Sequence, residues 1–108
     1  MRAPGLRVAT EEGDEDAVVR VAGELDLDGV EDVVGPVVAA LHAGTPVTID
    51  LTGVSFMDSS GIEGLARCRR AALEADRALV VEVRADGPVV RRLAWTGLDS
   101  VLDVRAVG

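Results

Sequence analysis

The sequence has no lysine, no tyrosine and a single cysteine among its 108 residues, and these shortages exclude several kinds of site. One cysteine, Cys68, can form neither an internal disulfide nor a cysteine-based metal cluster. We interpret Cys68 as a small, part-buried helix residue. Because all the basic residues are arginine, every mechanism that requires a lysine side chain is excluded.

Aromatic residues and positive charge are also scarce. Phe56 and Trp95 are the only aromatic residues, which leaves no stacking platform for bases, and the net charge of −8 disfavours binding to a phosphate backbone. No apolar run approaches the roughly 20 residues that cross a bilayer, and no signal peptide is recognisable. We therefore expect a cytoplasmic protein with no direct nucleic-acid partner, no membrane partner and no cofactor.

Strand-like segments recur along the chain. Leu6–Thr10 and Ala17–Ala22 flank the acidic stretch EEGDED and predict an antiparallel hairpin. The apolar runs Pro46–Leu51 and Ala78–Val83 predict strands that are covered by other elements. Val101–Val104 predicts a short strand at the edge of the sheet.

Three helices are predicted between these strands. The first has Asp28 as its candidate N-cap and an apolar face at helical spacing, formed by Val30, Val33, Val34, Val37 and Leu41. Gly35-Pro36 predicts a kink or two short pieces, because an interior proline removes a backbone hydrogen bond. The second helix runs from about Ser60 to Ala75, with an apolar face of Ile62, Leu65, Ala66, Ala72 and Leu73. The third helix begins near Pro88 and stops near Gly97.

The predicted order β-β-α-β-α-β-α-β indicates one α/β domain over residues 1–108. Strands that alternate with helices lie parallel and are joined by right-handed crossovers. We therefore expect a mixed, mostly parallel sheet with an N-terminal hairpin and with helices packed mainly on one face.

The sequence DSSG at residues 58–61 follows a buried strand and opens the second helix. Any of its three polar residues could cap that helix, and Ser60 with Glu63 forms a capping-box pattern. One cap is enough, which leaves Ser59 without a structural task. A nucleophilic serine is disfavoured, because the only histidine, His42, belongs to the far end of the first helix and the G-x-S-x-G pattern is absent.

Two phosphoacceptor hypotheses remain for this region. An aspartyl phosphate at Asp50 requires a lysine that the chain lacks, so we interpret Asp50 as a strand-end or turn residue. A phosphate on a serine in the first turn of the second helix would be tolerated by the fold, because the N-terminus of a helix favours anions. It would add about −1.5 to −2 charges to a surface that is already acidic. The residues thus leave two interpretations open for this serine pair, a helix cap and a switch that is phosphorylated.

Three motifs in order carry a family resemblance: GELD at 23–26, SFMDSSG at 55–61 and RRLAWTGLDSVLDV at 91–104. Together they resemble the STAS domain, and most of all the small stand-alone anti-sigma factor antagonists of bacteria. The resemblance spans nearly the whole chain. It implies a STAS fold and a non-enzymatic protein that regulates sigma-factor-dependent transcription by partner switching. Its implied partners are an anti-sigma factor with serine-kinase activity and a serine phosphatase.

The resemblance also implies roles for individual residues. Ser59 would be the phosphoacceptor, released from the kinase partner once it is phosphorylated. The partner-binding residues would be Glu24, Asp26, Asp58, Ser60, Gly61 and Glu63, with Ser60 as the helix cap and Gly61 allowing the partner to approach the backbone. The alternative is a STAS interaction module that does not switch, in a stress-signalling assembly or as a subunit of a lipid-transport ATPase.

Other side chains receive structural interpretations. Trp95 is expected to pack the third helix on the sheet, with an interface anchor as the alternative, and Phe56 is expected to plug the core below the DSSG element. Arg67, Arg69 and Arg70 are expected to form a solvated helix face, and His42 to sit favourably at a helix end.

Overall fold

The structure, a computed structural model, describes residues 5–108. The described residues form five strands, three α-helices and one short 3₁₀-helix. In chain order these are β1 (Leu6–Glu12), β2 (Ala17–Leu25), α1 (Val30–His42), β3 (Val47–Met57), α2 (Ser59–Ala75), β4 (Leu79–Arg84), α3 (Pro88–Thr96), the 3₁₀-helix Leu98–Ser100 and β5 (Asp103–Val107). The predicted order of elements is confirmed.

The five strands form one sheet in the order β1-β2-β3-β4-β5, in which only the β1–β2 pair is antiparallel. Every crossover therefore steps in the same direction, and right-handed crossovers then place all three helices on one face. Alternate strand residues show this arrangement: Ile49 and Val81 are fully buried beneath the helices, while Asp50 and Glu82 lie on the opposite, open face. The predicted fold class is confirmed.

Three strands are longer than predicted and the last is displaced: β1 continues to Glu12, and β5 runs over Asp103–Val107 instead of Val101–Val104. β2 continues to Leu25 and β3 to Met57, so that residues 53–57, which we expected to link strand to helix, pair with β2 instead. Asp50 consequently lies in the middle of β3 and not at its end. It accepts hydrogen bonds from Arg20 of β2 at 2.9 Å and from the hydroxyl of Thr52 at 2.6 Å.

Helix α1 is continuous, and the expectation of two short helical pieces is wrong. Pro36 lies inside the helix, which is held against the sheet by its five buried apolar residues Val30, Val33, Val34, Val37 and Leu41. Those are the residues predicted by helical spacing. The predicted N-cap Asp28 is also wrong, because Gly29 occupies that position without a side-chain hydrogen bond.

The buried face of α2 differs from the predicted one. Leu73 is largely exposed, and the buried residues are mostly small: Gly61, Gly64, Leu65, Cys68, Ala71 and Ala72. A Cβ at Gly64 would lie 2.5 Å from Val30 Cγ2 of α1. The small residues therefore let α1 and α2 approach closely, whereas our prediction followed only the larger apolar residues.

Candidate functional site

The turn between β3 and α2 is fixed by Asp58. Its Oδ1 accepts hydrogen bonds from the backbone N–H of Ser60 at 2.9 Å and of Gly61 at 3.4 Å. Asp58 is extended, as an N-cap should be, and its own N–H donates to Leu25 O at 3.3 Å. The capping role predicted for Ser60 therefore belongs to Asp58.

Ser59 is the first residue of α2 and is exposed. Its hydroxyl makes no hydrogen bond with any side chain or backbone group of residues 5–108. Because Asp58 already accepts the hydrogen bonds that cap the helix, the hydroxyl of Ser59 is not needed for capping. The geometry thus leaves a free, solvent-accessible hydroxyl at the positive end of a 17-residue helix.

Gly61 is buried, and the packing around it leaves no room for a side chain. A Cβ there would lie 2.4 Å from Met57 Cγ and 3.3 Å from Leu25 Cγ. Glycine is required so that the first turn of α2 can rest on the ends of β2 and β3. Packing inside the domain therefore already accounts for a glycine here, and the approach of a partner to the backbone stays a prediction.

The parallel pairing of β2 with β3 brings the predicted acidic residues to the same edge. Glu24 lies opposite Phe56 in the register, and Leu25 opposite Met57, so Asp26 follows beside Asp58. Glu24 is exposed and Asp26 half-buried. The structure therefore brings Glu24, Asp26 and Asp58 together at the carboxyl ends of two adjacent strands.

A shallow depression of about 420 Å³ opens beside Ser59 and is lined in part by Val30, Ser60 and Glu63. Its other lining residues, which we did not predict as site residues, are Leu27, Glu31 and Arg67. Leu27 is 73 % exposed although it is apolar. Its sequence signal is its position between two aspartates, ahead of the first residue of α1. No sequence signal places Glu31 beside Arg67, because the pair joins two helices.

Charges in this depression are paired across the helices. Arg67 donates to Glu31 of α1 and, at 3.1 Å, to Glu63 one turn earlier on α2. Glu63 and Arg67 thus form an ion pair between successive turns of α2. The hydrogen bond from Arg67 lowers the pKa of Glu31, and the same bond raises the pKa of Arg67. Arg67 is therefore not available as a free cation beside Ser59.

The remaining reactive side chains lie away from this surface. Cys68 is fully buried, more than we predicted, and burial raises the pKa of its thiol to about 12. His42 is in the last turn of α1, as predicted. Within residues 5–108, no three His, Cys, Asp or Glu side chains are grouped so as to hold a metal ion. Nor is any described helix long and apolar enough to span a membrane.

Two aromatic residues beside the site are exposed, contrary to prediction. Phe56 is 45 % exposed and Trp95 is 91 % exposed, so neither plugs the core nor packs α3 on the sheet. Val89 and Leu93 do that packing instead.

A family model described as "Mlab, STAS domain" matches residues 8–103 of this chain. Among curated proteins, an anti-sigma F factor antagonist of Lysinibacillus sphaericus is 48 % identical over 63 residues, which are 56 % of this chain and 53 % of that protein. The chain thus spans about half the length of the curated relative that it matches.

Solved structures show the same fold over nearly the whole chain. An anti-sigma factor antagonist from Mycobacterium paratuberculosis is 27 % identical, with a TM-score of 0.83 over 99 % of this chain and 92 % of that one. The Bacillus cell fate determinant SpoIIAA in its phosphorylated form is 23 % identical, with a TM-score of 0.72 over 94 % of this chain and 92 % of that one. At that identity the second likeness concerns the fold alone.

Proposed function

The chain belongs to the STAS domain family, and from this premise we propose that it is an anti-sigma factor antagonist controlled by phosphorylation of Ser59. Unmodified, it binds an anti-sigma factor with serine-kinase activity. Once Ser59 carries a phosphate, it releases that factor, and a serine phosphatase reverses the change. Sigma-factor-dependent transcription follows the fraction of unmodified protein.

One observation carries the proposal: Ser59 presents a free hydroxyl at the start of α2, while Asp58 alone caps the helix. A phosphate there adds about −1.5 to −2 charges without removing any bond that the fold uses. The helix end accommodates the anion. The change is therefore confined to the surface that a partner would touch.

The acidic edge makes that added charge decisive for docking. Glu24, Asp26 and Asp58 already carry negative charge beside Ser59. A partner that covers the exposed Leu27 must bring its own groups against this edge, and juxtaposed like charges cost several kcal/mol. Phosphorylation thus weakens docking of any acidic or apolar group that approaches Ser59.

In this proposal the domain is a substrate and a ligand, and the phosphoryl chemistry belongs to the partner. No base accompanies the hydroxyl, because the only histidine is in the last turn of α1. The relatives from Lysinibacillus sphaericus and Mycobacterium paratuberculosis support the choice of an anti-sigma factor as partner. We place the protein in the cytoplasm, where such a partner acts.

The test is phosphorylation by a purified anti-sigma kinase from the same cell, with ATP and with mass-spectrometric mapping of the phosphate. We expect one phosphate on Ser59 of the unaltered protein, one on Ser59 of Ser60→Ala, and none on Ser59→Ala. Modification only at Ser60 or elsewhere would contradict the proposal. Copurification with a transporter-type ATPase and no kinase would favour the interaction module that does not switch.

A further inference from the structure

The two aromatic residues of the chain, Phe56 and Trp95, line one surface groove of about 430 Å³, which we call the aromatic groove. Its lining is completed by Ser55, Met57, Pro88, Arg91 and Arg92. Exposed apolar side chains that lie together often mark an interaction site, and tryptophan and arginine are among the residues most enriched at the centres of protein interfaces. This groove therefore has the composition of a binding site.

The positive charge of this groove is unpaired within the part of the chain that the structure describes. Arg91 donates to the backbone oxygen of Asp86 at 3.1 Å, and Arg92 makes no side-chain hydrogen bond. Neither guanidinium pairs with a carboxylate of residues 5–108, although the chain as a whole carries a net charge of −8. Helix α3 contains no acidic residue. A free basic patch on an acidic protein is complementary to an acidic ligand.

The aromatic groove lies near the proposed switch surface. Phe56 precedes Ser59 by three residues, so their Cα atoms lie within about 11 Å of each other. Glu24 and Asp26 lie on the β2 side of this strand end, and the arginines lie on the α3 side. The edge of the domain is therefore acidic on one side and basic and aromatic on the other.

We propose that the aromatic groove is a second docking site for the anti-sigma partner, and that it takes an acidic segment of that partner which also carries an apolar side chain. The apolar side chain lies against Trp95 and Phe56, and its carboxylates pair with Arg91 and Arg92. This inference rests on the proposed function. It adds that the acidic side of the edge, with Glu24 and Asp26, and the basic side, with Arg91 and Arg92, together orient the partner so that its active site faces Ser59.

The test measures the affinity of the purified anti-sigma kinase for single variants of the full chain by calorimetry. Trp95→Ala and Arg92→Glu are expected to weaken binding by about tenfold or more, as substitution of a tryptophan or arginine at the centre of an interface does.

Two matched controls lie on α2: Leu73→Ala removes another exposed apolar side chain, and Arg70→Glu reverses the charge of another exposed arginine that has no partner among residues 5–108. Both controls are expected to bind within about twofold of the unaltered protein. Exchange of an acidic residue of the partner for arginine should restore binding to Arg92→Glu.

The outcomes separate this inference from the proposed function. If the kinase neither binds the unaltered protein nor modifies Ser59, both fail. If it binds and modifies Ser59 but Trp95→Ala and Arg92→Glu bind as tightly as the controls, only the aromatic groove is overturned. Sedimentation of the chain alone is the last check: a dimer that Trp95→Ala dissociates would assign the groove to a second copy and overturn the proposal.

Discussion

Asp58 and Ser59 are adjacent residues with separate tasks. The carboxylate of Asp58 accepts from two N–H groups of α2, whereas the hydroxyl of Ser59 accepts and donates nothing within residues 5–108. A chemical change at Ser59 therefore leaves the helix end intact. A change at Asp58 removes the cap and alters the shape of the turn that presents Ser59.

Asp58→Ala should lower the free energy of unfolding by about 1 kcal/mol, because it leaves the N–H groups of Ser60 and Gly61 without their acceptor. Asp58→Ser should recover most of that loss, since serine caps helices nearly as well. Asp28→Ala is the control and should change stability by less than about 0.5 kcal/mol, because Asp28 caps nothing. Urea unfolding followed by circular dichroism measures all three. An equal loss for Asp58→Ala and Asp28→Ala would contradict the assignment of the cap.

The sequence predicted the identity of the candidate switch residue but not its aromatic neighbours. Three polar residues before a glycine indicated that one of them was superfluous for capping. Phe56 and Trp95 were predicted to be buried because large apolar residues usually are. Whether another element covers them depends on tertiary packing, which spacing along one strand or helix does not contain.

Elements were predicted well where their pattern is periodic and made of large residues. All five predicted core residues of α1 are buried. The buried face of α2 was predicted incorrectly because its contact with α1 uses Gly64 and other small residues. Such residues have low hydrophobicity, so a search for periodic apolar residues does not detect them. The ends of β2 and β3 were missed because Gly23 and Gly53 resemble turn residues, yet both pair within the sheet.

The open face of the sheet carries a pH-sensitive connection between β2 and β3. Partial burial raises the pKa of Asp50, but hydrogen bonds from Thr52 and Arg20 outweigh it and hold that pKa below its ordinary value of 3.8. A carboxyl group whose pKa is lower in the folded state than in the unfolded state stabilises the folded state. This stabilisation is complete at pH values above the pKa of the unfolded state. That stabilisation is lost as the pH falls through the folded value.

Asp50→Asn should therefore be less stable than the unaltered protein at pH 7, by about 1.5 kcal/mol. The difference should shrink as the pH falls below about 4, where the carboxylate of the unaltered protein becomes protonated. Thermal unfolding from pH 7 to pH 2.5 measures it. Glu82→Gln is the control on the same face: its ion pair with Arg105 spans 4.0 Å and should contribute little at any pH. A stability difference for Asp50→Asn that stays constant or grows towards low pH would contradict the assignment.

At the scale of the whole molecule, the core is separate from the edge that we propose binds a partner. The core lies between the helices and one face of the sheet, whereas Ser59, Leu27 and Trp95 are exposed beside the carboxyl ends of the central strands. On this edge the fold relies on the buried residues Leu25, Met57 and Gly61 and on the cap Asp58, and not on the hydroxyl of Ser59. We therefore expect that Ser59 can be phosphorylated, and a partner released, while the domain remains folded.

The most direct test compares unmodified protein with protein that carries phosphoserine at position 59, prepared by translational incorporation, in binding to the purified anti-sigma kinase. We expect the phosphorylated protein to bind about 100-fold more weakly, since like charges at a docking surface cost several kcal/mol. Its melting temperature should stay within a few degrees of that of the unmodified protein. Equal affinity of the two forms, or loss of binding accompanied by unfolding, would contradict the account.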